Sequence, residues 1–217
     1  MFPSDLNETE RYAAFMIRAL ETLKAPDGGN ETYSSAHSVI ARTAVSSITQ
    51  PNGIALAFGV GLGHSLRQTA TRRQDVQWVA FDSFADYPRD GRIDWQVEGI
   101  QKVPADLPGN VKLIEGFFAN TLPEYLASNP GPVSFVDICS DVYSSASDVF
   151  STLEFHGQMR PGLPVLFNQI VNCPDSPWNE MRAFYEMLER TGLGFEWHAR
   201  RDEVWQAEDM FDLIEID

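Results

Sequence analysis

Five short apolar runs, each separated from the next by enough chain for a helix, constrain this 217-residue sequence more than any other feature. They lie at residues 54–59, 78–82, 111–115, 133–138 and 164–167. A strand covered by helices on both faces has no solvent side, so it reads as a continuous hydrophobic stretch. Ile54-Ala55-Leu56-Ala57-Phe58 and Val133-Ser134-Phe135-Val136 have that character. The pattern predicts an α/β protein with a doubly wound, mostly parallel sheet, whose ligands bind beyond the carboxyl ends of the strands.

Helix signals fill the gaps. Asn120-Thr121 reads as the cap of a short helix through Ala127, residues 144–156 form a helix ended by Gly157, and Ser176-Pro177 starts another that stops at Gly192. That last helix carries Met181, Phe184, Tyr185 and Leu188 on one face. Two more are predicted near the N-terminus, over residues 4–23 with Ser4 as N-cap and over residues 33–48, the second ended by Gln50-Pro51-Asn52-Gly53. Residues 194–200 and 210–216 are strand candidates with no room for a crossover helix, so they are expected to pair as a C-terminal antiparallel hairpin.

Composition narrows the partners. Sixteen Lys and Arg against 31 Asp and Glu give a formal charge of −15, which repels phosphate backbones and anionic lipid headgroups. No nucleic acid and no membrane are expected. Residues 1–9 lack the charge pattern of a secretory signal, and Cys139 and Cys173 are too few for a disulfide framework. A cytoplasmic location follows as the expectation. The acids after Arg201 read as solvated surface.

The first run leads into Gly59-Val60-Gly61-Leu62-Gly63-His64-Ser65. Glycines there let the backbone turn tightly and approach a ligand, and the helix that follows offers free amides. Gly59, Gly61 and Gly63 satisfy G-x-G-x-G, while His64 stands where a dinucleotide fingerprint has its third glycine, which counts against a nicotinamide enzyme. Asp82 ends the second run, where an acid can accept both hydrogen bonds of a ribose diol. A tight βα turn for the glycines and a helix N-cap for Asp82 stay open. Imidazole titrates near neutrality, so the four histidines are candidate bases. His64 follows the loop and can meet cofactor or acceptor, or simply start a helix; His37, His156 and His198 read as surface, packing or strand residues.

Four blocks in order resemble the macrocin O-methyltransferase family: Phe58-Gly59-Val60-Gly61, Phe81-Asp82-Ser83-Phe84, residues 115–123 beginning Glu115-Gly116-Phe117, and Asp141-Val142-Tyr143-Ser144-Ser145. These are class I S-adenosylmethionine-dependent methyltransferases, and the resemblance runs from about residue 54 to residue 170. It implies a Rossmann-like fold of the class I methyltransferase type, with residues 1–50 as N-terminal helices covering an acceptor site and residues 51–217 as the S-adenosylmethionine-binding domain. It places Gly59, Gly61 and Gly63 along the methionine part of the cofactor, Asp82 with Ser83 at the ribose, and Gly116 and Phe117 beside the adenine. The chain departs from the family at Ala57, where an acid usually stands two residues before the first glycine.

Asp137, Asp141 and His64 are the candidate catalytic residues, Asp137 also serving the cofactor. Asp137, Asn168 and Gln169 are candidate magnesium ligands, although one carboxylate neutralises less of a hard cation's charge than two. Asn168 and Gln169 as loop partners, and Asp141 as cap of the helix near Ser144, remain the alternatives. Residues 85–108, with Tyr87, Pro88 and Trp95, read as a lid over the acceptor or as a surface helix; Tyr143 and Trp178 read as aromatic walls or core rim. The function implied is O-methylation of a small-molecule acceptor. The alternative is a repurposed protein of the same fold that binds cofactor without methyl transfer. Whether the chain works as a homodimer stays open.

Overall fold

A computed structural model describes residues 7–21, 44–49, 53–85, 87–88, 102–168, 170, 178–199 and 211–216. Seven strands, β1 (Ile54–Phe58), β2 (Gln77–Asp82), β3 (Val111–Glu115), β4 (Val133–Ile138), β5 (Pro164–Asn168), β6 (Phe195–Ala199) and β7 (Phe211–Ile216), form one sheet in the order β3-β2-β1-β4-β5-β7-β6. The first five run parallel, and β7 pairs antiparallel with both β5 and β6. The expected doubly wound sheet and the C-terminal hairpin are both present. Strand order reverses between β1 and β4, which opens a crevice at their carboxyl ends.

Helices α1 (Glu8–Glu21), α2 (His64–Arg72), α3 (Phe118–Ser128), α4 (Tyr143–Phe155) and α5 (Glu180–Thr191) cover the sheet unequally. One face packs Phe58, Phe81, Val136 and Phe167 against buried residues of α1, α3, α4 and α5. The other sets Ala55, Ala57, Ala80 and Phe135 against Leu66 and Ala70 of α2 and against Ala44, Val45 and Ile48. Each large apolar side chain so buried contributes about 2 kcal/mol. Aromatic rings tie the larger face together: Phe184 lies 5.3 Å from Phe167 and 5.1 Å from Phe195, and Tyr185 lies 5.0 Å from both Tyr12 and Phe15 of α1.

Several helix starts differ from the sequence expectation. Helix α1 begins with a capping box, in which the Glu10 amide donates to Asn7 Oδ1 at 3.0 Å and the Asn7 amide to Glu10 Oε2 at 2.8 Å. The expected cap Ser4 lies outside the described residues, as does most of the helix expected over 33–48, of which residues 44–46 are helical. Helix α3 begins at Phe118, not at Asn120-Thr121, because Gly116 makes the turn with φ of 139° and its amide donates to the Asp82 carbonyl at 2.9 Å. Thr121 then turns its hydroxyl back to the Phe117 carbonyl at 3.1 Å. Helix α5 begins at Glu180; Ser176-Pro177 lie outside the described residues. Its stop at Gly192, left-handed with φ of 71°, is as expected. No helix among the described residues is long and apolar enough to cross a membrane.

Candidate active site

The glycine loop sits at the point where strand order reverses. Gly59 has φ of 85°, and a Cβ built on it would lie 1.7 Å from the Cys139 carbonyl oxygen. The Cys139 amide donates to the Phe58 carbonyl at 2.7 Å, which carries the β1–β4 ladder one residue further and sets the Cys139 carbonyl against Gly59. Glycine at 59 is therefore required by this contact, independently of any ligand. Gly63, left-handed with φ of 77°, precedes α2. Leu107 and Pro104 lie over it at 3.1 and 3.3 Å from where its Cβ would be. Arg67 of α2 pairs with Asp106 at 2.7 Å and donates to the Leu62 carbonyl at 2.8 Å, which ties residues 104–107 to the loop.

Asp82 braces this loop and caps no helix. Its Oδ2 accepts the amides of Val60 at 2.7 Å and Gly61 at 2.9 Å, and its Oδ1 accepts the Phe84 amide at 2.8 Å. These are charge-assisted bonds, and a carboxylate has about four acceptor positions, so room for a further donor remains. Ser83 turns inward on its own loop, accepting the Ala85 amide at 3.2 Å. The Gly116 amide, bonded to the Asp82 carbonyl, brings Phe117 beside the end of β2, where its ring is 38% exposed.

Asp137 and Ala57 stand opposite each other in the β1–β4 register, with Leu166 on the other side of Asp137. Partners in a parallel ladder point to the same face, so a carboxylate occupies, one strand over, the level at which β1 has only a methyl group. Asp137 is 4% exposed and its Oδ1 has no hydrogen-bond partner. Burial pushes its pKa up to about 7.

Asp141 follows β4 in a left-handed conformation, φ of 60°, which costs a non-glycine residue about 1 kcal/mol. It caps no helix, since α4 begins without a side-chain cap. Its Oδ2 instead accepts the hydroxyl of Tyr87 at 2.8 Å, so the segment expected to be a lid reaches the end of β4. Burial raises the Asp141 pKa, the Tyr87 hydrogen bond opposes the rise, and the negative charge of Asp82 adds to it. Burial, then the charge of Asp141, raises the pKa of Tyr87, which therefore remains a donor.

The residues brought together are thus the glycine loop, Asp82, Tyr87, Cys139 and Asp141, with Asp137 buried beneath. His64 is exposed at the start of α2, with Nδ1 3.3 Å from an Arg67 nitrogen, and has Arg67 rather than the acids as its partner. Tyr143 donates to Glu186 at 2.7 Å and packs on the core, while Trp178 is 69% exposed. The side chain of Asn168 and all of Gln169 lie outside the described residues. Among the described residues no group of three or more His, Cys, Asp and Glu side chains is arranged around a metal position. Sequence reasoning missed Glu180, whose Oε1 accepts the Ser140 and Asp141 amides at 2.7 and 3.1 Å. The signal was present: position 180 falls on the buried stripe of α5 with Phe184, Met187 and Leu188, where an acid is out of place.

Strand order, the antiparallel seventh strand and a glycine loop at the reversal point define the class I methyltransferase type of Rossmann-like fold. Solved structures that share it carry the following names. The crystal structure of CalS11, calicheamicin methyltransferase, is 17% identical, covers 99% of this chain and 95% of that one, and superposes with a TM-score of 0.64. The apo structure of CalS11, described as TDP-rhamnose 3'-O-methyltransferase of calicheamicin biosynthesis, is 17% identical over 99% of this chain and 97% of that one, TM-score 0.60. An O-methyltransferase from Bacillus cereus in complex with SAH is 13% identical over 99% and 93%, TM-score 0.54. No protein-family model and no curated protein matches the sequence.

Proposed function

We propose that this protein is an S-adenosylmethionine-dependent methyltransferase that methylates a hydroxyl oxygen of a small-molecule acceptor. The observation that carries the reading is the convergence of a glycine loop braced by Asp82 with an Asp141–Tyr87 pair at the reversal point of the sheet. The methyltransferase names of the structural neighbours support it through the fold.

The residues fit the cofactor's charge. S-adenosylmethionine carries a sulfonium and an ammonium, and the groups gathered here, Asp82, Asp137 and Asp141, are acids, one of them with an orphaned buried oxygen. In this reading Asp82 and Ser83 hold the ribose and Gly116 and Phe117 flank the adenine. Gly61 and Gly63 border the methionine part with Gly59, and Asp137 supplies the carboxylate that β1 lacks at Ala57. When bound, the cofactor brings an electrophilic methyl with its leaving group attached. The chain's own task is to orient the acceptor and remove its proton. Asp141 takes that proton: burial raises its pKa above the ordinary carboxylate value, which makes it a stronger base, and Tyr87 fixes one oxygen by donating to it.

Calorimetry with S-adenosylmethionine and with its demethylated product tests the first half. Binding of both is expected, and no heat from either at high micromolar concentration would reject the reading. A panel of hydroxylated acceptors, run with magnesium and with a chelator, tests the second half. Cofactor binding without transfer to any acceptor would favour a repurposed binder.

A further inference from the structure

Glu180 is the first residue of α5, yet it is 2% exposed and lies beneath the turn joining β4 to α4. Its Oε1 accepts three hydrogen bonds, from the Ser140 amide at 2.7 Å, the Ser140 hydroxyl at 2.9 Å and the Asp141 amide at 3.1 Å. Its Oε2 is buried as well and has no partner. Three donors on one oxygen favour the charged form, whereas the deep burial of a second oxygen without a partner favours the neutral one. An ionised group would leave a charged oxygen bare in the interior. The amides gripped by Oε1 lie on either side of Ser140, and the second belongs to the peptide that enters Asp141, the residue held at φ of 60°.

We infer that Glu180 is a positioning residue for the acceptor site, pinning the peptide before Asp141 so that Asp141 stays left-handed with its carboxylate on Tyr87. The purpose assigned to it rests on the methyltransferase reading above; the geometry does not. Asp141 is the charged group that acts on Glu180, and Asp141 in turn faces Tyr87 and Asp82. Burial, followed by the charge of Asp141, pushes the Glu180 pKa up to about 8, against the hydrogen bonds from Ser140 and Asp141, which lower it. Below that pH Asp141 has a neutral neighbour in Glu180. Above it, a second charge arrives next to the proposed base.

Carbon-13 NMR of side-chain carboxyls on the full chain, from pH 4 to 10, reads both parts. Glu180 keeps its proton through pH 7, and the Asp141 signal shows a second inflection at the Glu180 midpoint. In E180Q, which keeps a neutral acceptor oxygen, that inflection disappears while the main Asp141 midpoint stays in place. Amide exchange reads the grip: in E180A the Ser140 and Asp141 amides exchange about tenfold faster or more, whereas E180Q holds them within about threefold of wild type. If E180A does not fold, E180Q decides alone through the lost inflection and the retained protection. Glu180 titrating in the ordinary carboxylate range near pH 4, or amides in E180A as protected as in wild type, would overturn the inference. Calorimetry with S-adenosylmethionine on the same samples tests the reading separately. Its failure counts against the proposed function and not against Glu180, whose signals are read without ligand.

Discussion

A carboxyl group as deeply buried as Asp137, with its Oδ1 unpartnered, binds its proton more tightly in the folded chain than in the unfolded one. Its pKa rises from 3.8 to about 7, so between those values the folded state holds more protons and stability falls as pH increases. Above the folded value the loss is complete and the contribution is flat. Glu180 acts with the same sign over a window that ends near pH 8. Urea denaturation at pH 5 and pH 7.5 is therefore expected to show wild type losing stability as pH rises, with Asp137 accounting for a share on the order of 2 kcal/mol. D137N removes that share and leaves the slope due to Glu180. The comparison is between slopes, because the asparagine amide has its own burial cost at any one pH. Equal slopes in the two proteins would show that Asp137 is solvated or paired in solution. A group so expensive to ionise, with one oxygen left without a partner, fits a position where a cationic ligand supplies the partner, which is why Asp137 is placed in the proposed cofactor site.

Strands were the most legible elements, and their ends were the most legible boundaries. Residues 111–115 and 133–138 are strands from end to end; the second is buried at every position, so its apolar run is bounded by the residues that leave the sheet, whereas the first is a half-buried edge strand. Helix starts were less legible because they depend on distant partners. Asp82 looks like a cap in the sequence, yet its oxygens serve Val60, Gly61 and Phe84, and Asp141 goes to Tyr87 from a different connection. The glycine loop was found for a partly incomplete reason. Its glycines were expected to make room for a ligand, but Gly59 makes room for the Cys139 carbonyl, a backbone atom that cannot move aside without shifting β4. G59A is expected to cost on the order of 3 kcal/mol or more in urea denaturation. Gly109, where an added Cβ meets nothing within 4 Å, is the control, and G109A is expected to stay within about 0.5 kcal/mol of wild type. Similar small losses for both would mean that the approach of the Cys139 carbonyl to Gly59 is looser than the structure shows. Glu180 escaped notice because an acid in the first turn of a helix is ordinarily a favourable surface residue, which outweighs its place on the apolar stripe of α5.

At the scale of the molecule, the charge of −15 acquires a direction. Read as composition, it argues only against polyanionic partners; in the fold, Asp82 ends β2 and Asp137 and Asp141 lie at the carboxyl end of β4, beside the glycine loop that follows β1. S-adenosylmethionine and its demethylated product differ by one methyl and one positive charge, so they form a matched pair for probing the field of these acids. Attraction of the cation by surrounding carboxylates weakens as added salt shortens the screening length from about 20 Å to below 10 Å. Between roughly 20 and 200 mM salt, the dissociation constant of S-adenosylmethionine is expected to rise roughly threefold more than that of the product. The aromatic and hydrogen-bonding contacts are common to both ligands and cancel in the ratio. Calorimetric titrations of the two ligands at three salt concentrations give it directly. Above the Asp137 midpoint, at pH 8.5, D82N and D137N each remove a nearby negative charge and are expected to reduce the difference without abolishing it, since the remaining acids still contribute. Parallel salt dependences for the two ligands in wild type would mean that the acids of the crevice are neutralised within the protein, and that its net charge has no part in binding the cofactor.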